Sequence, residues 1–188
     1  MGRNPDRGRN FTRYAFTPTV KEIQSEHGSR EAYERMEAMA QHELGAKERR
    51  FISERDSFYM ATVGNNGWPY VQHRGGPPGF VRVVDDNTMA FADFRGNRQY
   101  VSTGNVIDTR RAAMIFVDYP ARQRLKVWAN AAIVSPDADP GLAAIVSLEG
   151  YDAVVERIFR LEVVAFDWNC PQHITPRYTL EEIEALRI

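Results

Sequence analysis

The sequence predicts a mainly β, α+β domain: a small antiparallel barrel with helices flanking it. Three observations carry this. Seven short β-rich segments are separated by tight-turn signals, and helical periodicity is confined to the two ends and short inserts. A parallel sheet would need crossovers of about ten residues or more after most strands, and these are missing.

Up to about Gly28 the chain is polar with scattered aromatics (Phe11, Tyr14, Phe16) and reads as an arm lying over a surface. A helical pattern starts at Ser29, a residue suited to capping, and Tyr33, Met36, Ala40 and Leu44 recur at helical spacing until Gly45 stops the run. A second short helix, Ala46 to about Glu54, places Phe51 and Ile52 on one side. Ser57–Gly64 and Trp68–His73 flank Asn65-Asn66-Gly67, a tight-turn signal, and form a hairpin. The run Arg74-Gly-Gly-Pro-Pro-Gly79 is expected to break the ladder, because its prolines lack donors and its glycines are unconstrained. Phe80–Val84 and Thr88–Phe94 form a second hairpin around Asp85-Asp86-Asn87.

Arg95-Gly96-Asn97 is expected to open a helix from about Arg98 to Asp108. Strands follow at Ala112–Tyr119 and Leu125–Val134, then a small helix at Pro140–Leu148 and a last strand at Arg157–Phe166. Thr179 with Glu182 three residues on is a capping box, ahead of an apolar face of Leu180, Ile183 and Leu186. The organisation is an N-terminal arm and helix over 1–50, a barrel over 51–174, and a C-terminal helix over 175–188 expected to pack on the barrel.

With 188 residues the chain can bury a real core in one domain. Lys and Arg number 24 against 25 Asp and Glu, so general nucleic-acid binding has no electrostatic basis and any anion site must be local. A single cysteine, Cys170, excludes an intrachain disulfide and suits a reducing compartment. No apolar run approaches the ~20 residues of a membrane span. The expectation is a cytoplasmic protein.

Three segments hold candidate chemistry. The first, Phe91 to Val106, joins a strand end and a glycine turn to a helix start bearing Asn97, Arg98 and Gln99. Free N–H groups at a helix start, next to an arginine, make a phosphate site, although an ordinary Asn-capped helix has the same look. The second is Val71–Gly79, where Gln72, His73 and Arg74 precede glycines that let a flat ligand approach the backbone; a solvated surface loop is the plainer alternative. The third is Asp167–Ile174, where Trp168 either closes over an aromatic ligand or fills the core. Cys170 and His173 do not make a metal site, since zinc requires about four ligands. There is no Gly-x-Ser-x-Gly, phosphate loop or His-Glu-x-x-His, and no residue stands out as catalytic.

Taken in order, these segments resemble the pyridoxamine 5′-phosphate oxidase-like FMN-binding split barrels. The resemblance is carried by Asp56-Ser-Phe-Tyr-Met-Ala-Thr-Val, Pro69-Tyr-Val-Gln-His-Arg-Gly-Gly, Ala92-Asp-Phe-Arg-Gly-Asn-Arg-Gln, Ser102-Thr-Gly-Asn105 and Trp168-Asn-Cys-Pro-Gln-His-Ile-Thr-Pro-Arg177. The Gly-Asn-Arg-Gln and Cys-Pro-Gln-His segments resemble a subgroup of flavin-nucleotide-binding proteins. The resemblance implies a six-stranded antiparallel split barrel and a homodimer with FMN in a groove between subunits. Gln72, His73, Arg74 and Gly75 would then lie along the ring and ribityl chain, with Asp93 near the flavin edge. Asn97, Arg98 and Gln99 would hold the phosphate, and Trp168, Asn169 and Gln172 would come from the other subunit. It further implies an FMN-dependent oxidoreductase acting on a small molecule, with NAD(P)H as a candidate electron source. A flavin reservoir and a haem-binding relative are the alternatives. The stretch after Trp168 departs from the true pyridoxamine phosphate oxidases, so oxidation of vitamin B6 is not implied.

Overall fold

The computed structural model describes residues 10–38, 43–96, 98–168 and 172–186. Among these, seven strands form one antiparallel sheet: β1 (Ser57–Val63), β2 (Pro69–Gly75), β3 (Val81–Val83), β4 (Thr88–Phe94), β5 (Arg111–Asp118), β6 (Gln123–Val134) and β7 (Val155–Trp168). Their order is β2-β1-β5-β6-β7-β4-β3. The helices are α1 (Thr12–Ala15), α2 (Pro18–Glu26), α3 (Arg30–Glu37), α4 (Ala46–Ser53), α5 (Val101–Thr109), α6 (Pro140–Val146) and α7 (Leu180–Ala185). Each β segment read from the sequence forms a strand. The total exceeds by one the six strands that the resemblance implied, and β3 has only three residues.

The β1–β2 hairpin turns at Gly67, whose φ of +84° suits a residue without a side chain. Inward residues of the strands meet in one aromatic core. Phe58 of β1 stacks on Phe116 of β5 at 4.9 Å, and Phe91 of β4 stacks on Phe159 of β7 at 4.9 Å. Phe58 also meets Phe91 edge-on at 5.2 Å. Because β1 and β4 are far apart in the strand order, that last contact requires the sheet to curl upon itself. It is a split barrel, and α6 covers a second apolar cluster on its outer side, where Ala90, Ala92 and Ile158 meet Leu142 and Val146.

Where edge strand β2 approaches β4, the opening is bridged by charge instead of a ladder. Arg74 of β2 pairs with Oδ1 of Asp93, while Arg157 of β7, the cross-strand partner of Asp93, lies 3.2 Å from Oδ2. Asp93 is 9% exposed, so it has little water to solvate it and relies on both guanidiniums. The Arg74 guanidinium also lies over Phe159 at 5.0 Å.

Several local expectations change. The arm before Gly28 contains α1 and α2; the Thr17 hydroxyl accepts from the Val20 N–H, and Pro18 occupies the first turn, where a missing N–H costs nothing. Phe11 stacks on Trp128 of β6 at 5.9 Å, so this segment covers part of its own barrel. The helix expected from Ser29 to Leu44 is shorter. Ser29 donates to the Gln24 carbonyl instead of capping α3, and Leu44 is buried outside any helix, its N–H donating to the Asp86 carbonyl. Ala40 lies outside the described residues. The β2 ladder continues through Arg74 and Gly75, opposite Phe58 and Ser57, since proline enters only at Pro77. At the C-terminus the capping box forms, with the Glu182 N–H 3.2 Å from the Thr179 hydroxyl. Yet α7 has no buried residue, and Leu180 and Leu186 are 77% and 70% exposed. The helix expected to pack on the barrel therefore turns apolar side chains outward. Among the described residues no helix is long and apolar enough to cross a membrane.

Two outcomes follow for stability. Phe91→Ala should cost about 3–5 kcal/mol in urea unfolding, because the ring contacts Phe58, Phe80 and Phe159. Asp93→Asn should cost on the order of 3 kcal/mol by leaving two guanidiniums short of a counter-ion, and adding Arg74→Met should recover part of that loss. Strictly additive effects of the two changes would show that the pair does not close the barrel.

Candidate functional site

Strand alternation sorts the residues of β2. Tyr70, Gln72 and Arg74 turn toward the opening of the barrel, while Val71 and His73 turn to the outer face. On the opening side the end of β4, the segment through Gly96 and Arg98–Tyr100, the first turn of α5 and the start of β7 enclose a groove of about 230 Å³. Polar groups dominate its wall: Gln72, Gln99, Ser102 and Thr103, the arginines Arg74, Arg98 and Arg157, and the carboxylates Asp93 and Glu156.

The carboxylates are already committed. Asp93 holds Arg74 and Arg157, and Glu156 lies 2.8 Å from Arg157 and 3.2 Å from Arg95. Arg157 also donates to the Thr103 hydroxyl at 3.3 Å, and the Tyr100 ring covers its guanidinium at 4.5 Å. Among the described residues no acid and no hydrogen-bond partner meets Arg98 on the groove wall, and Nε of Arg74 is buried without a partner. With three arginines and two carboxylates lining the groove, one positive charge is in excess. The Ser102 hydroxyl donates to Gln72 Oε1 at 2.9 Å, a bond that engages the oxygen of Gln72 and not the N–H donors of its amide.

The start of α5 differs from the sequence expectation. Arg98 and Tyr100 both have a φ of +57°, which no α-helix accommodates, so the helix begins at Val101 and Arg98 belongs to the loop before it. Tyr100 is the N-cap residue and provides no side-chain cap bond. The N–H groups of the first turn are thus left to face the groove or solvent. An excess positive charge, an unpaired arginine and an uncapped helix start together suit an anionic, hydrogen-bonding ligand.

Of the residues singled out from sequence, Gln72, Arg74, Asp93, Arg98 and Gln99 meet in this groove. Gly75 is part of the adjacent ladder, opposite Ser57. His73 is on the other face, its ring edge-on to Tyr59 at 5.6 Å. Trp168 is at the far end of the 14-residue β7, where its indole N–H donates to Glu48 at 2.8 Å and its ring meets Phe51 at 4.8 Å. Gln172 is exposed beyond it, and Asn97 and Asn169 lie outside the described residues. The chain by itself does not bring Trp168 or Gln172 to the groove. Sequence reasoning missed Tyr70, Tyr100, Glu156 and Arg157 as wall residues. Only the period-two alternation of β2 was a usable signal, since it separates Tyr70, Gln72 and Arg74 from His73.

Comparison with known proteins bears on this arrangement. Residues 44–161 match the family model described as pyridoxamine 5′-phosphate oxidase, which is well over half of the chain. No curated protein matches the chain in sequence. HupZ from Group A Streptococcus is similar in structure at 15% identity and a TM-score of 0.50, covering 71% of this chain and 98% of that one. An FMN-binding protein from Syntrophomonas wolfei subsp. wolfei aligns at 14% identity and a TM-score of 0.49, covering 81% and 97%. The fold and the family match agree: the chain is a split barrel that belongs to the pyridoxamine 5′-phosphate oxidase family.

Proposed function

We propose that the groove holds the phosphate and ribityl chain of FMN at the interface of a homodimer, and that the protein is an FMN-dependent oxidoreductase acting on a small molecule in the cytoplasm. One observation carries the reading: among the described residues Arg98 stands without an acid partner on a polar wall, at the start of α5, which has no side-chain cap. A phosphate dianion leaving water requires charge-assisted donors, and an arginine fork with backbone N–H groups supplies them. The unpartnered Nε of Arg74 and the amide of Gln72 are further donors for oxygens along the ligand.

The size of the groove supports the dimer. Sites that enclose a whole cofactor run to roughly 300–1,000 Å³, so about 230 Å³ suits the phosphate end and leaves the ring to another surface. The outer face of β2, β1, β5 and β6 provides one. Tyr59, Ala61, Val71, Ala113, Ile115 and Trp128 line an apolar hollow of about 240 Å³ there, and Val71 is 61% exposed. Apolar residues on both faces of a sheet call for cover on both. In this reading a second copy covers that face and its Trp168, Asn169 and Gln172 reach the ring. FMN supplies the redox chemistry when bound, and the chain binds it, orients it and shields it from water. NAD(P)H is the electron source to try first, and turnover with it separates an enzyme from a flavin reservoir.

Purified protein should be yellow, with flavin bands; a Soret band would point to haem instead. Arg98→Ala should weaken FMN binding roughly tenfold to a hundredfold, from the ~1.5–3 kcal/mol typical of a charged hydrogen bond, with riboflavin little affected. Titration calorimetry with both ligands checks this, and equal weakening would remove the phosphate role. Sedimentation should show a dimer for the wild type and a monomer for Val71→Glu, with FMN binding lost in the monomer. A flavin-loaded wild-type monomer would contradict the interface reading.

A further inference from the structure

Resting on the reading of the groove as a phosphate site, we infer that Tyr100 is a positioning residue: its ring holds the Arg157 guanidinium toward the groove, and the strained backbone beneath it is kept for the ligand and not for the fold. A tyrosine at φ +57° occupies a region that bulky side chains rarely enter, and Arg98, two residues earlier, does the same. Glycine would adopt both conformations at no steric cost. Strain of this kind persists where the surroundings impose it, and it clusters at ligand sites.

Core packing does not account for Tyr100. It is 45% exposed and lies outside the buried clusters of the barrel. What the ring does touch is Arg157, with the guanidinium carbon 4.5 Å from the ring centroid. The oxygens of Asp93, Thr103 and Glu156 engage Nη1 and Nη2 of that arginine. A guanidinium has five N–H donors, so Nε and part of Nη2 remain for a ligand. The partners in the sheet fix one side of the fork, and the tyrosine covers a face of its plane. An arginine ordered in advance loses less conformational freedom when an anion arrives. Tyr100 thus acts through Arg157, and nothing requires it to touch the ligand.

Tyr100→Gly and Tyr100→Phe separate the roles. The glycine variant removes both ring and strain, so it should bind FMN about fivefold to tenfold more weakly and riboflavin nearly as wild type does. Its ligand-free thermal midpoint should equal or exceed that of the wild type. The phenylalanine variant keeps the ring and should bind FMN normally. A fall in the ligand-free midpoint with parallel weakening of FMN and riboflavin would overturn the inference, as would an equal loss in Tyr100→Phe. If the wild type binds no FMN, the proposed function fails, and inorganic phosphate becomes the deciding probe. A phosphate-dependent thermal shift present in the wild type and lost in Tyr100→Gly supports the positioning role. A shift unchanged by the substitution, or absent from the wild type, overturns it.

Discussion

A carboxylate buried between two guanidiniums governs this structure. Asp93 faces Arg157 within the β4–β7 ladder and Arg74 across the opening of the sheet. Backbone hydrogen bonds cannot span that opening, because the strand order ends at β2 on one side and β3 on the other. A single acid that requires both arginines does so instead. The seam of the barrel is consequently cationic, and the groove lies along it. The same charges that hold the edge in place form the wall a ligand would meet.

The two sides of β2 divide the work of the chain. Alternation sends Gln72 and Arg74 into the seam and Val71 and His73 to the outer face. The seam side is small and polar, whereas the outer side is broad and apolar. Neither resembles a complete cofactor site. Their proximity on one edge strand makes a shared site between two copies the economical reading, since an edge strand with an exposed apolar face also invites association.

The segment before α5 departs from the cheapest backbone path. Arg98 and Tyr100 hold left-handed backbone just where the helix would otherwise begin, and the helix is shortened as a result. The displaced turn puts Arg98 on the groove wall and Tyr100 over Arg157. A regular helix from Arg98 would have been cheaper for the backbone and would have aimed these side chains elsewhere.

By itself the sequence determined what depends on near neighbours. The Asn65-Asn66-Gly67 turn, the Thr179–Glu182 capping box, the seven β segments and the helix starting at Ala46 all follow from residues a few positions apart, where hydrogen-bond geometry and side-chain period act directly. Their order was also enough to signal the family. Tertiary structure alone decided the rest. The Trp168–Glu48 bond joins residues 120 positions apart, and the Asp93–Arg157 contact spans 64. The first depends on α4 packing against the end of β7 and the second on β4 pairing with β7, and no local pattern encodes either meeting. For the same reason Arg157 and Tyr100 emerged as groove residues only from the folded chain, and Trp168 proved to be anchored far from Arg98. Left-handed backbone at Arg98 and Tyr100 was equally illegible, since local propensity argues against it and only the surrounding contacts impose it.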